Sequence, residues 1–187
     1  VSTHREENVD NPENLKKILE VLNQLAEEYQ VPVIVSTHPR TRKRIEELNT
    51  NHQSPVTNHQ IQFLKPFGFS DYVRLQQKAK CTLSDSGTIS EESAMLSFPA
   101  ISLRQSMERP EAQDAGTIIL TGFEPDIVLS SVRTVIEQHK QLTNNSSHFT
   151  DYSSLVNDYS ITNTSWRVLK LILGNANLSN RWWGINQ

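Results

Sequence analysis

Ser84-Asp85-Ser86-Gly87-Thr88-Ile89-Ser90-Glu91-Glu92 is the stretch that decides how this chain of 187 residues is read. It follows Cys81-Thr82-Leu83, which has the pattern of the end of a buried strand, and it leads into the helical pattern 90–96. A strand that turns through Ser-Gly into a helix leaves backbone N–H groups unpaired at the positive end of the helix dipole. Phosphates and diphosphates bind at such ends. Gly87 has no Cβ to keep an anion away from the backbone. Glu91 or Glu92, about one turn into the helix, is placed to accept hydrogen bonds from a sugar diol. A capped helix with no ligand remains the competing local reading.

The elements around the turn give the fold. Asn11 before Pro12 starts a helix, and Leu15, Ile18, Leu19, Leu22, Leu25, Ala26 and Tyr29 then recur at helical spacing. Val31–Val35 reads as a buried strand, 41–48 as a charged helix and 49–60 as a polar, mobile loop. Strand patterns follow at 61–64, 80–84, 100–103 and 117–120, and helical patterns at 70–79, 108–115 and from Pro125 towards Lys140. Val1–Glu7 has the pattern of a strand ending in a polar loop. Strict alternation predicts an α/β fold, a Rossmann-like parallel sheet with helices on both faces. Ligands of such sheets bind beyond the strand C-termini, where His4, His38, Ser86 and Arg104 should share one rim.

Composition narrows the class. Hydrophobic residues make up 36% and charged residues 21%, as in ordinary globular proteins. A net charge of −3 and a pI near 6.1 argue against nucleic acid or an acidic membrane as partner. No run approaches the roughly 18 apolar residues that cross a bilayer. The single cysteine, Cys81, suits core packing in a reducing cytoplasm. His52, His59, His139 and His148 show no ligand spacing, and no metal is expected. Arg40, Arg42, Lys43 and Arg44 read as a solvated helix face balanced by Glu46 and Glu47.

The polar stretch 143–147 reads as a linker. Beyond it Trp166, Val168, Leu169, Leu171, Ile172, Leu173, Trp182 and Trp183 form an apolar tail. We therefore divide the chain into a nucleotide-binding domain over 1–142 and a linker with a terminal helix over 143–187. Because the chain opens in a strand pattern, the expectation is a longer protein whose N-terminal half is missing here, and a tail that packs on that half.

Three motifs occur in order: His4-Arg5-Glu6-Glu7, the 84–92 turn, and Glu108-Arg109-Pro110-Glu111-Ala112 with Ala115-Gly116-Thr117. Together they resemble the C-terminal half of the non-hydrolysing UDP-N-acetylglucosamine 2-epimerases. The resemblance covers nearly all of 1–140. It implies a glycosyltransferase-B-like arrangement of two Rossmann-like domains, with the nucleotide sugar between them and a C-terminal helix crossing back to the first. It assigns Ser86, Gly87 and Thr88 to the diphosphate, Glu92 to the ribose, and Arg109 to the same site. Tyr72 corresponds to the aromatic against the uracil, and His4 to the histidine beside the departing phosphate. Thr88 stands where a second glycine is common, Phe67 where a glutamine is common, and His38-Pro39-Arg40 replaces a motif linked to substrate activation.

The chemistry implied is inversion at C2 of a UDP-N-acetylhexosamine by loss of UDP and its re-addition, with no cofactor. The acid–base carboxylates at C2 are implied to lie outside this chain, which leaves it inactive alone. A homodimer is expected. Segments 35–44 and 84–89 look most like the branch that forms UDP-N-acetyl-L-fucosamine for bacterial capsule or O-antigen lipopolysaccharide, while the other branch of the family interconverts UDP-GlcNAc and UDP-ManNAc. A glycosyltransferase of the same two-domain fold, using a UDP-sugar donor, is the alternative.

Overall fold

The protein is described by a computed structural model, covering residues 1–49, 56, 58–144, 159, 161–182 and 184. Most of the expected polar loop, residues 145–147 of the expected linker, His52, His148 and Trp183 lie outside the described residues.

Asn11 accepts from the backbone N–H groups of Glu13 and Asn14 at 3.0 and 3.3 Å, and Pro12 opens the long helix α2 (Pro12–Tyr29). Gln30 ends it in the left-handed region, at φ 51°. Ahead of α2 stands a short helix, α1 (Glu6–Val9), where the sequence pattern suggested only a loop. The reason is an outside anchor: the Asn8 side chain and three other donors of 3–8 bind the Asp85 carboxylate and wind the segment into a turn. After α2 come β1 (Val33–Ser36), α3 (Pro39–Asn49), β2 (Ile61–Leu64), α4 (Phe69–Lys78), β3 (Thr82–Ser84) and α5 (Ile89–Leu96). Then follow β4 (Ala100–Ser102), α6 (Pro110–Asp114), β5 (Ile119–Leu120), α7 (Pro125–Asn144) and α8 (Thr164–Trp182).

All pairings are parallel. β1 pairs with β2, and β3–β4–β5 form a second run. The first residues join the two, because Ser2 bridges in parallel to both Ser36 and Ser84. Ser36 donates its N–H to the Val1 carbonyl, and Ser2 donates its own to Leu83. Read across, the order is β2, β1, Val1–Ser2, β3, β4, β5. The expected opening strand is thus one bridge wide, but it occupies the middle of the sheet.

Alternate side chains leave opposite faces of a strand. Ile101 and Leu103 join the large core with Leu83 and residues of α2 and α7, whereas Ala100 joins Ile89, Phe98, Ala112 and Ile118 beneath α5 and α6. The helical layers on both faces follow from that alternation. Cys81 is half-buried against the large core, and burial pushes its thiol up to about 12, which favours the neutral thiol. α7 runs to Asn144, two residues into the stretch read as a linker. One expectation needs correction. Arg40 and Arg44 are not merely solvated, since both pair with Asp10 just after α1, and Arg40 also reaches Glu6. The Arg40 bond is the main cause holding the Asp10 carboxyl below its ordinary value.

Among the described residues no helix is long and apolar enough to cross a membrane.

Candidate functional site

In a parallel sheet the loops that follow neighbouring strands emerge side by side. The bridges Ser2–Ser36 and Ser2–Ser84 and the register Ser84–Ser102 therefore place His4, His38, Ser86 and Arg104 along one rim. The rim predicted from the strand ends is present.

Asp85 holds its centre. Its side chain is fully buried. Oδ2 accepts from Thr3 Oγ1 at 2.9 Å, from the His4 and Arg5 backbone N–H groups at 3.0 Å each, and from Asn8 Nδ2 at 2.7 Å. Oδ1 has no hydrogen bond among the described residues, and it lies 3.6 Å from His4 Nδ1. The imidazole is half exposed, so one nitrogen faces the buried carboxylate while the ring remains open to solvent. The sequence stretch quoted first contained Asp85, but nothing in local spacing showed that its partners would come from 3–8. Only the central place of Ser2 explains it.

The turn itself is more ordered than a bare helix end. Ser86 donates its backbone N–H to Ser84 Oγ at 3.1 Å, and Thr88 donates its own to Ser86 Oγ at 3.3 Å. Two donors expected to be free are thus held by serine hydroxyls. The Ser86 and Thr88 hydroxyls lie 2.9 Å apart, and Thr88 Oγ1 donates to Glu92 Oε1 at 2.7 Å. Gln76 Nε2, from α4, donates to Glu92 Oε2 at 2.5 Å. Glu92 is half-buried and fixed by α4 on one side and by the turn on the other. Tyr72, also on α4, faces the same place: burial raises its phenol above the ordinary value, opposed by hydrogen bonding with Ser2 and Ser84, and the Glu92 charge adds to the rise.

Ser86, Gly87, Thr88, Glu92, Tyr72 and His4 therefore belong to one neighbourhood. Arg109 differs. It is the residue before α6, and its Nε donates to Glu91 at 2.8 Å, with no bond to Glu92. Gly87 has no positive φ, so what sets it apart is the space beside it. A Cβ there would collide with Glu108 Oε2, and Arg104 Nη1 would stand 3.8 Å away. Glu108 spans two arginines: Oε1 accepts from Arg104 Nη2 at 2.8 Å and from Arg5 Nη2 at 2.9 Å. The Arg104 guanidinium first, then that of Arg5, holds the Glu108 carboxyl down at about 2. Sequence reading quoted Glu108 and Arg104 but gave neither a role.

A separate apolar cavity of about 410 Å³ lies at the opposite, N-terminal ends of the strands, lined by Val1, Tyr29, Val33, Leu75, Cys81 and Ile136. It contains none of the rim residues.

Comparison with known proteins gives the family and the fold. The family model of UDP-N-acetylglucosamine 2-epimerase matches residues 1–173. A UDP-N-acetylglucosamine 2-epimerase of Methanocaldococcus jannaschii is 35% identical over 144 residues, 77% of this chain and 39% of that protein. The structure of the Rickettsia bellii UDP-N-acetylglucosamine 2-epimerase superposes with a TM-score of 0.70 at 38% identity, covering 97% of this chain and 46% of that one. The Methanocaldococcus jannaschii enzyme in complex with UDP-GlcNAc and UDP gives 0.67 at 32%, covering 85% and 44%. The chain thus spans less than half the length of the proteins it matches. From the match along residues 1–173, the chain belongs to the UDP-N-acetylglucosamine 2-epimerase family.

Proposed function

We propose that this chain is the nucleotide-binding half of a UDP-N-acetylhexosamine 2-epimerase, an isomerase. The observation that carries the reading is the meeting of His4, the Ser86–Gly87–Thr88 turn and Glu92 beyond the ends of neighbouring parallel strands. In this reading the turn holds the diphosphate, Glu92 the ribose and Tyr72 the uracil, while Arg109 completes the site once released from Glu91. A carboxylate of the other half removes the C2 proton as the C1–O bond breaks. UDP leaves with the bonding electron pair, and a 2-acetamidoglycal remains. His4 delivers a proton or positive charge to the departing phosphate oxygen, in the part of a general acid. Preorganised donors on the diphosphate stabilise the charge that grows there. Re-addition of UDP with a proton on the opposite face inverts C2.

The substrate we infer is UDP-N-acetyl-L-pneumosamine, giving UDP-N-acetyl-L-fucosamine for a bacterial capsule or O-antigen. The supporting residues are 35–44 and 84–89. We place the reaction in the cytoplasm, in a homodimer, with α8 packed on an N-terminal domain. In support of that packing, Trp166, Leu173 and Trp182 on α8 are 62, 75 and 70% exposed.

Incubation of the full-length enzyme in deuterated water tests the reading, with UDP-GlcNAc and the L-pneumosamine nucleotide tried in parallel. Deuterium should enter at C2 of one of them, and the isolated chain should bind UDP without exchange. In the full-length enzyme His4→Asn should lower turnover by about two or more orders of magnitude while changing UDP affinity far less. No exchange with either nucleotide would defeat the epimerase assignment. Exchange by the isolated chain would show the division of roles to be wrong.

A further inference from the structure

We propose that Arg104 and Arg5 bind the phosphates of a nucleoside diphosphate at the Gly87 turn, and that Glu108 is a built-in counter-anion which the ligand displaces. This rests on the nucleotide reading above and goes further, assigning the charged side of the site and a competition within it.

Arg104 is only 5% exposed. It follows β4, and the register Ser84–Ser102 brings it beside the turn after β3. Among the described residues its Nε and Nη1 have no hydrogen bond of acceptable direction, although Nη1 lies 2.7 Å from Glu108 Oε2. A buried guanidinium needs a partner. Among the described residues its ion-pair partner, Glu108, is on a loop, and the Glu108 side chain is 43% exposed against 6% for Arg104. The fixed member of the pair is thus the arginine, and the movable member is the carboxylate.

The carboxylate lies across the two ends of the guanidinium fork, with Nη2 donating to Oε1 at 2.8 Å. Arginine presents this same fork to phosphate. Arg5 adds a second cation to the same oxygen, while Glu7 lies 3.4 Å from the other end of Arg5. Oε2 meanwhile fills the space that the absent Cβ of Gly87 leaves open. An anion at the turn and Glu108 in this position exclude each other, by overlap and by like charge. When Glu108 swings out, both arginines and the Gly87 backbone are left facing the vacated place. The missing side chain at position 87 then serves ligand and counter-anion in turn.

Calorimetric titration of the chain and of Glu108→Gln with UDP, inorganic pyrophosphate and uridine decides the matter. The variant should bind UDP and pyrophosphate roughly three- to tenfold more tightly, since neutral glutamine competes less for the arginines, and uridine should be unaffected. Arg104→Lys, which keeps the charge but loses the fork, should bind UDP about tenfold more weakly. Its urea midpoint is measured beside it, so that binding is compared only between folded proteins. Equal or weaker UDP and pyrophosphate binding by Glu108→Gln overturns the proposal, because a merely structural Glu108 would weaken the site when lost. If the parent chain binds pyrophosphate as tightly as UDP, the nucleotide reading fails, and the pyrophosphate comparison alone then decides the counter-anion.

Discussion

Removing the Asp85 carboxylate should unfasten the site from the sheet. One oxygen, Oδ2, accepts from four donors, namely Thr3 Oγ1, the His4 and Arg5 N–H groups and Asn8 Nδ2, and the residue is fully buried. Hydrogen bonds to a charged group are worth about 1.5–3 kcal/mol each, so simple addition gives roughly 6–12 kcal/mol. That is an upper bound, because one oxygen shared by four donors cannot serve each fully and such energies are not additive. Breaking a buried charged partnership typically costs about 3–5 kcal/mol, which we take as the expectation for Asp85→Ala. Small domains are stable by only about 5–15 kcal/mol, so the variant should stand near the edge of folding. Asp85→Asn keeps the shape and one acceptor oxygen, and should lose about half as much.

The assay is urea unfolding followed by far-UV circular dichroism, since the tryptophans seen here, Trp166 and Trp182, sit on exposed α8 and report poorly on the core. A double-mutant cycle with Asn8→Ala then apportions the loss, and the coupling between positions 8 and 85 should exceed about 1 kcal/mol. A loss below about 1 kcal/mol for Asp85→Ala would refute the reasoning. It would mean that the 3–8 segment is held by its own helix and not by the carboxylate.

Three further outcomes follow from the same structure. Glu92→Gln or Glu92→Ala should weaken UDP and UMP binding alike by roughly 1–3 kcal/mol, because the ribose is common to both, and unchanged calorimetric affinity would place the ribose elsewhere. Glu108 should remain ionised through moderate acid. Its folded pKa, about 2, lies below the ordinary 4.5, so its contribution to stability is present above 4.5 and is lost progressively as pH falls from there through about 2; carbon NMR of its carboxyl in the folded protein should show no titration between about pH 6 and pH 4. Leu173→Ser on α8 should change the unfolding free energy of the isolated chain by no more than about 0.5 kcal/mol, since this residue is 75% exposed, and a larger loss would mean that α8 packs on the sheet domain.

What the sequence could show was whatever depends on neighbours along the chain. The α2 face, the Asn11 cap, the alternation of strands with helices and the Ser-Gly turn are local patterns, and each appears in the structure. What it could not show was which strand lies beside which. Val1–Ser2 forms a single bridge, far too little for a propensity argument, yet its position between β1 and β3 brings Thr3–Asn8 onto Asp85. A carboxylate with partners 77 to 82 residues away in the chain has no periodicity to betray it. Glu108 shows the same limit from the opposite direction. In the sequence it is one letter of a Glu-Arg-Pro motif, and attention falls on Arg109 beside it. In the fold Arg109 turns to Glu91, while Glu108 closes over Gly87 between Arg5 and Arg104. The two neighbours in sequence thus serve different partners. Which of them meets the Gly87 turn is decided by the parallel register of β3 and β4, since this register carries Arg104 to the turn and Glu108 with it.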